Sequence, residues 1–189
     1  MRNMRKWAQA VVASLALFSS STLYAETYAI DPAHTSVSFK IKHLVGSVRG
    51  GFGKVTGSVD YDEANPDGSA VNVIIDVNSV DTYNADRDKH LKNEDFFDTA
   101  KYPEMTFKSK KVAAGTITGD LTLHGVTKEI EIPYTLGGLA DDPWGNKRLG
   151  GSGEVKLDRR DFGMKYDPTG ISVGNDVQVF LDVEATKKK

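Results

Sequence analysis

The sequence contains no cysteine. Disulfide bonds, thiol nucleophiles and thiolate metal ligands are therefore excluded. Only four histidines occur, at positions 34, 43, 90 and 124, and no two of them have the i, i+2 spacing of paired ligands on one strand. Because a structural or catalytic zinc ion needs three or four clustered ligands, we expect no metal, and we expect no other cofactor.

Sequence motifs of the common catalytic and nucleotide-binding classes are also missing. There is no Gly-x-Ser-x-Gly elbow for a nucleophilic serine, and no glycine-rich loop opens a helix as a phosphate site would. The chain has 24 Lys and Arg against 26 Asp and Glu, so it lacks the excess of positive charge that binding to nucleic acid requires. We expect neither an enzyme nor a nucleic-acid-binding protein.

The first 25 residues have the composition of a cleavable secretory signal peptide. Three of the first six residues are basic, an apolar run covers residues 10–18, and the small residue Ala25 marks the cleavage site. The run has fewer than half of the roughly 20 apolar residues that a membrane span needs. We therefore predict export to the periplasm, no stable insertion into the membrane, and a single mature domain, 26–189, with 21 basic and 26 acidic residues.

Alternation of apolar and polar residues dominates the mature sequence. In the first run, Val37, Phe39 and Ile41 alternate with polar residues, which indicates a strand with one apolar and one wetted face. Eight such runs occur, and the glycine-rich second one is typical of a sharply bent strand. The predicted strands cover residues 37–43, 51–61, 71–77, 105–108, 117–123, 126–134, 148–157 and 177–183.

No long helix is available to cover the apolar face of this sheet. The sheet is therefore predicted to close into an all-β, eight-stranded antiparallel barrel, with a two-layer sandwich as the alternative. His124-Gly125 predicts a tight hairpin turn. Residues 82–102 do not alternate; within them Ala85–Lys92 are good helix formers, with Thr82 or Asn84 as N-cap. This short helix, between the third and fourth strands, would form a plug or lid over one end of the barrel.

Two polar or aromatic features remain open to interpretation. Arg87 and His90 are spaced i, i+3 and share one face of the predicted helix. They could bind an anionic head group at the mouth of a pocket, or they could tie the helix to the sheet by hydrogen bonds. The segment 142–145 predicts a turn, with Trp144 as a hydrophobic clamp beside the barrel.

Five segments together resemble the YceI family of exported proteins, and they span essentially the whole mature region. The resemblance implies a lipocalin-like barrel of eight strands with an apolar tunnel for a polyisoprenoid chain, such as that of an isoprenoid quinone, or a similar amphiphile. It implies no established catalytic reaction, so no catalytic residue is assigned. The segments are YAIDPAHTSVSFKIKHL from Tyr28, RDKHL from Arg87, FFDTAKYPEMTFKS from Phe96, GDLTLHGVTKEIEI from Gly119 and DPWGNKR from Asp142.

The leading hypothesis from these observations is a periplasmic carrier or store of a long-chain lipid. The alternatives are an enzyme acting on such a lipid, with Arg87 and His90 at the pocket mouth, and a stress or adhesion module whose cavity is incidental. The sequence leaves the ligand, its head group and the oligomeric state open, a homodimer being one option. The predicted ligand-binding residues are Phe39, Ile41, Phe52, Val73, Ile75, Arg87, His90, Phe96, Phe97, Phe107, Leu121 and Leu123.

Overall fold

A computed structural model describes residues 25–187, and the predicted signal peptide, apart from Ala25, lies outside the described residues. Eleven strands, one α-helix and three short 3-10 helices occur in this part of the chain. The strands are β1 Glu26–Ile30, β2 Ser36–His43, β3 Gly46–Phe52, β4 Val55–Tyr61, β5 Ala70–Asp76, β6 Val80–Asp81, β7 Glu104–Ala113, β8 Thr116–Leu123, β9 Val126–Asp141, β10 Lys147–Asp158 and β11 Val173–Lys187. Helix α1 covers Ala85–Leu91, and the 3-10 helices cover Pro66–Gly68, Val77–Ser79 and Arg159–Phe162.

These strands form one closed antiparallel barrel with eight strand positions. Three positions are each shared by two consecutive strands, β1 with β2, β3 with β4, and β5 with β6, and the other five belong to β7–β11. The barrel closes because β11 pairs with β2 along most of its length and with β1 near its end, where Ala29 faces Thr186. The predicted eight-stranded barrel, with a short helix between its third and fourth strand positions, is thereby confirmed.

The second strand position is bent, as its glycines predicted. Gly53 and Lys54 interrupt the strand between β3 and β4. Gly57 follows with φ +140°, and a Cβ atom there would collide with the carbonyl oxygen of Asn72 on β5. Only glycine fits this position, since it alone adopts such a φ freely and leaves room for the neighbouring strand.

The predicted hairpin turn at His124-Gly125 joins β8 and β9. Both residues have positive φ, 52° and 73° respectively, which is the conformation of a two-residue type I′ turn. The His124 ring also forms a 2.9 Å hydrogen bond between Nδ1 and the Phe162 carbonyl oxygen. The turn is therefore fastened to the 3-10 helix that follows β10.

Two sequence expectations need correction. Strand β1 was not among the predicted strands, because it is only five residues long and offers just Tyr28 and Ile30 as buried apolar positions. The prediction that Trp144 clamps the barrel is wrong, since its side chain is 80% exposed. The turn itself forms, and Asp142 holds it by accepting hydrogen bonds from the backbone amides of Trp144 and Asn146.

The inner face of the barrel forms the hydrophobic core. Its largest cluster includes Val55, Val77, Phe162 and Met164, which are all nearly inaccessible to solvent. A smaller cluster consists of Tyr28, Leu149 and Ala185 and lies toward the turn between β9 and β10. Within residues 25–187, no helix is long and apolar enough to cross a membrane.

Candidate functional site

The barrel encloses an elongated cavity of about 620 Å³. Its wall consists of the inward-facing residues of every strand position, because alternate side chains of a β-strand point to the same face of the sheet. Alternate residues of β11 illustrate this: Val177, Val179, Leu181 and Val183 all line the cavity. A void of this size lined by apolar side chains is the usual form of a small-molecule site.

All twelve residues predicted to bind ligand line this cavity. They come from β2, β3, β5, β7, β8, α1 and the segment that follows α1, so the barrel brings together residues that are far apart in the chain. Which of them contact a ligand stays a prediction. The residues are Phe39, Ile41, Phe52, Val73, Ile75, Arg87, His90, Phe96, Phe97, Phe107, Leu121 and Leu123.

Aromatic side chains form part of the cavity wall near α1. The ring centroids of Phe39 and Phe52 are 5.9 Å apart, and those of Phe52 and Phe97 are 5.7 Å apart with nearly perpendicular planes. Both distances lie in the range of favourable aromatic pairs. The Phe52–Phe97 contact fastens the segment after α1 to the barrel wall.

The two ends of the barrel differ in charge. We call the end that carries α1 and the 3-10 helix Arg159–Phe162 the helical end, and the opposite end, with the turn 142–146, the loop end. Among residues 25–187, every ionisable Asp, Glu, Lys, Arg or His that lines the cavity lies at the helical end. The group contains one acid and is otherwise basic: Lys42, His43, Asp86, Arg87, His90 and Arg159.

Helix α1 is held in place by its own polar residues. Asn84 is the N-cap, and its side-chain oxygen accepts a 2.9 Å hydrogen bond from the Arg87 amide. The Arg87 guanidinium donates to Thr82, with 2.7 Å from Nε to Oγ1 and 2.6 Å from Nη2 to the carbonyl oxygen. Thr82, the other predicted N-cap, is instead buried and donates from Oγ1 to Asp88. Arg87 thus ties the helix to the end of β6.

His90 belongs to an aromatic group that the sequence patterns did not reveal in full. Its ring packs edge-on against Phe96, at a centroid distance of 5.1 Å, and against Tyr166, at 5.2 Å. Its Nε2 atom lies 3.1 Å from Oδ2 of Asp95. Tyr166, which no pattern singled out, comes from the loop between β10 and β11, so this contact joins α1 to a distant part of the chain.

Arg159 is a buried, charged cavity-lining residue that sequence reasoning missed. Its side chain is only 3% exposed, and burial lowers the pKa of the guanidinium. Arg159 is two residues after Leu157, which is two residues after Val155, so all three have the spacing of one strand face. Val155 and Leu157 also line the cavity. That spacing was the available signal, but the predicted strand ended at Leu157, two residues before Arg159.

A second arginine, Arg148, lies at the loop end beside three carboxylates. Its Nη1 atom lies 2.9 Å from Oδ2 of Asp31 and also donates to Glu184, while Nε lies 3.1 Å from Oδ2 of Asp142. These partners raise the pKa of Arg148. The His34 ring and the Arg148 guanidinium lower the pKa of Asp31 to about 2. The network fastens the β1–β2 connection to β10 and β11.

The Arg148 network also accounts for a cluster with the composition of a metal site. Ligand atoms of Asp31, His34 and Glu184 lie within 4.8 Å of one another. Because the same guanidinium nitrogen contacts the carboxylates of both Asp31 and Glu184, their negative charge already has a cationic partner. We therefore interpret the cluster as an ion-pair network.

Comparison with known proteins places the chain in a family. A family model described as the YceI-like domain matches residues 28–185. The chain belongs to the YceI family. Protein YceI of Escherichia coli O157:H7 is 43% identical over 180 residues, which cover 92% of this chain and 93% of that protein.

Solved structures of YceI-like proteins have the same fold. The YceI protein of Campylobacter jejuni is 38% identical, with a TM-score of 0.70 over 84% of this chain and 96% of that one. A polyisoprenoid-binding domain from Saccharophagus degradans, implicated in plant cell wall breakdown, has a TM-score of 0.68 over 85% of this chain and 98% of that domain. It is 16% identical, so this second likeness concerns the fold alone.

Proposed function

We propose that this protein is an exported, non-catalytic carrier or store of a long-chain lipid, a polyisoprenoid or a similar amphiphile, held in the barrel cavity. The observation that carries the proposal is the 620 Å³ cavity with its apolar wall. Burying one methylene group releases about 0.8 kcal/mol. A long chain therefore gains more than enough free energy to offset the cost of ordering it.

The relatives support the chemical class of the ligand. The domain from Saccharophagus degradans is described as polyisoprenoid-binding, and its barrel superimposes on this one. An isoprenoid chain is long, flexible and apolar, so it suits a cavity without Asp, Glu, Lys, Arg or His along most of its wall. The amino-terminal sequence of residues 1–25, read as a signal peptide, supports export to the periplasm.

The geometry favours binding over the two alternatives. An enzyme would need an acid–base pair placed for proton transfer, but Arg87 stays protonated and is bonded to Thr82, so it cannot act as the partner base of His90. An incidental cavity would be expected to collapse or fill with side chains, since protein interiors are normally close-packed. A cavity lined by residues of every strand position is more simply explained by a ligand that fills it.

Displacement of an apolar fluorescent probe would test the proposal. Geraniol, farnesol and geranylgeraniol form a series that grows by one isoprene unit at a time. We expect affinity to rise with each unit while the chain still fits the cavity, because each added unit buries more apolar surface. Mass spectrometry of an organic extract of the freshly purified protein should recover a co-purified lipid of the same class.

A short water-soluble alcohol such as butanol serves as the control and should displace almost no probe. The proposal would be wrong if none of the three isoprenoid alcohols showed saturable binding. It would also be wrong if their affinities were independent of chain length, since the cavity would then make no contact with the tail.

A further inference from the structure

We propose that the lipid enters and leaves the barrel through its side wall, between β9 and β10, and not through either end. This route rests on the proposed function, to which it adds the place where the cavity communicates with solvent. Two features of the wall point to it: a stretch in which the neighbouring strands do not pair, and a recess on the outer face at the point where the pairing stops.

Strands β9 and β10 pair along only part of their length. Their backbone pairing begins beside the turn 142–146 and ends at Tyr134 and Gly153. Beyond that point, as far as the described part of the chain shows, β9 pairs only with β8 and β10 pairs only with β11. We call the two facing edges, residues 126–133 of β9 and 154–158 of β10, the β9–β10 slot.

Pro133 explains why the pairing stops. The Tyr134 amide donates to the Gly115 carbonyl oxygen at 3.0 Å, on the β8 side of the strand. Since successive residues of a strand direct their backbone groups to opposite sides, the backbone of Pro133 faces β10. Proline has no N–H to donate there. The amino-acid sequence itself therefore ends the ladder at this residue.

A recess of about 420 Å³ lies on the outer face of the wall at the same place. Pro133, Glu154 and Phe180 line it, and Tyr134 and Gly153 line both this recess and the inner cavity. Gly153 adds no side chain to the wall between them. Only the thickness of the strands therefore separates solvent from the cavity at this point.

Opening the slot requires less disruption than opening the neighbouring seam of the wall. On its other edge, β10 pairs with β11 along the whole of Lys147–Asp158. Parting those strands would leave backbone donors and acceptors without partners, which is unfavourable. Across the slot the described residues have no strand pairing to break. Ile130, Ile132 and Leu157 line the cavity beside the slot and offer an apolar surface to a passing chain.

The slot is fastened where it approaches the helical end. Lys128 on β9 forms a 2.9 Å ion pair with Asp161, and the His124 ring is bonded to the Phe162 carbonyl oxygen. Both acceptors belong to the 3-10 helix that follows β10. The slot is thus held at one limit by this helix and at the other by strand pairing, so that only its middle can widen.

The two ends of the barrel are closed by contacts that a departing chain would have to break. At the helical end, Phe97 packs against Phe52, and His90 packs against Tyr166. At the loop end, the Arg148 network fastens the β1–β2 connection to β10 and β11. The slot therefore offers the route with the fewest contacts to disrupt.

The absence of cysteine allows one pair of thiols to be placed across the slot. Counted on from Tyr134 and Gly153, Glu131 and Lys156 face each other, and both side chains are exposed. In the double variant Glu131→Cys, Lys156→Cys, a bismaleimide with a disulfide in its linker bridges the slot, and reduction reopens it. Protein loaded with geranylgeraniol is then mixed with excess N-phenyl-1-naphthylamine, whose fluorescence rises as it fills the emptied cavity.

We expect the bridge to slow the release of geranylgeraniol about 10-fold or more, because the lipid must then leave by a route that breaks pairing or packing. Association should slow by the same factor, so the equilibrium affinity should stay within about twofold, since the bridge changes the path and not the bound state. Reduction should restore the original rate. Pro133→Val, which returns an N–H to the edge of β9, provides an independent test and should slow release about two- to threefold.

The matched control is Lys156→Cys with Gln178→Cys, because these residues are direct partners on β10 and β11. The same reagent should leave its release rate unchanged. An unchanged rate with the slot bridged would overturn the inference while the proposed function stood, and so would equal slowing by both bridges. If geranylgeraniol did not bind at all, the proposed function would fail together with the inference, so the two failures are distinguishable.

Discussion

Two arginines near opposite ends of β10 show how differently the two ends of the barrel are built. Arg148 at the loop end contacts three carboxylates on the outside of the barrel. Arg159 at the helical end is buried against the cavity and has only uncharged acceptors. Accordingly, the pKa of Arg148 is raised by its partners, and the pKa of Arg159 is lowered by burial.

The difference separates an arginine that fastens chain segments through carboxylates from one whose acceptors are all uncharged. A guanidinium surrounded by carboxylates is already neutralised, so its main effect is to hold together the chain segments that supply them. A guanidinium held by uncharged acceptors has no carboxylate in contact with it, so its charge is not neutralised in this way. Residue type alone does not distinguish the two, but the identity of the acceptors does.

The largest effect on stability is expected from Phe162→Ala, which leaves a cavity in the core at the helical end. Phe162 is 2% exposed in the main core cluster, so the change should lower the free energy of unfolding by about 3–5 kcal/mol. Urea denaturation measures this. A loss below about 1 kcal/mol would mean that the 3-10 helix contributes little to the core.

A charge placed on the uncharged part of the cavity wall should almost abolish lipid binding. Val73 lines the cavity, whereas the adjacent Ile74 points outward and is 43% exposed. Val73→Lys should weaken geranylgeraniol binding by about 100-fold or more, because the tail would have to desolvate an ammonium group. Ile74→Lys is the control and should bind normally. Equal affinities of the two variants would place the ligand outside the barrel.

The carboxylates at the loop end should make the free energy of unfolding depend on pH. The pKa values of Asp31 and Asp142 are lowered to about 2, by His34 and Arg148 for Asp31 and mainly by Asn146 for Asp142. Their stabilisation is complete above the ordinary carboxyl pKa of about 4 and is lost as the pH falls toward 2. Urea midpoints measured between pH 7 and pH 2.5 should therefore decrease.

Arg148→Gln should reduce this acid dependence and lower stability at neutral pH. It should not remove the dependence, because Asp158 and Asp167 at the helical end also have lowered pKa values. Lys156→Gln is a suitable control, since it removes an exposed ion pair with Asp176 that should contribute little. An unchanged pH profile in Arg148→Gln would show that the network does not fasten the loop end.

The smallest effect is expected at Trp144. Its indole is exposed and the turn is held by Asp142, so Trp144→Ser should change the free energy of unfolding by less than about 0.5 kcal/mol. Thermal unfolding of the variant checks this. A larger loss of stability would indicate that Trp144 packs against the barrel.

The sequence allowed the barrel and its lining to be predicted because both depend on local periodicity. Alternation assigns each strand residue to a face, so Val73 and Leu121 could be placed inside without knowledge of their neighbours. Arg159 and Arg148 could not be assigned roles in this way. Their partners lie on other segments, such as Asn175 for Arg159 and Asp31 for Arg148, 117 positions away, and only the closed barrel brings these groups together.

The barrel can close only when its last strand, β11, is in place. Its last residues pair with β1, and its earlier residues pair with β2. The barrel therefore cannot close until residues 173–187 are available for pairing. Such pairing between distant segments makes folding slow relative to helical proteins. Under the export proposed above, this order would keep the barrel open until its final strand has crossed the membrane.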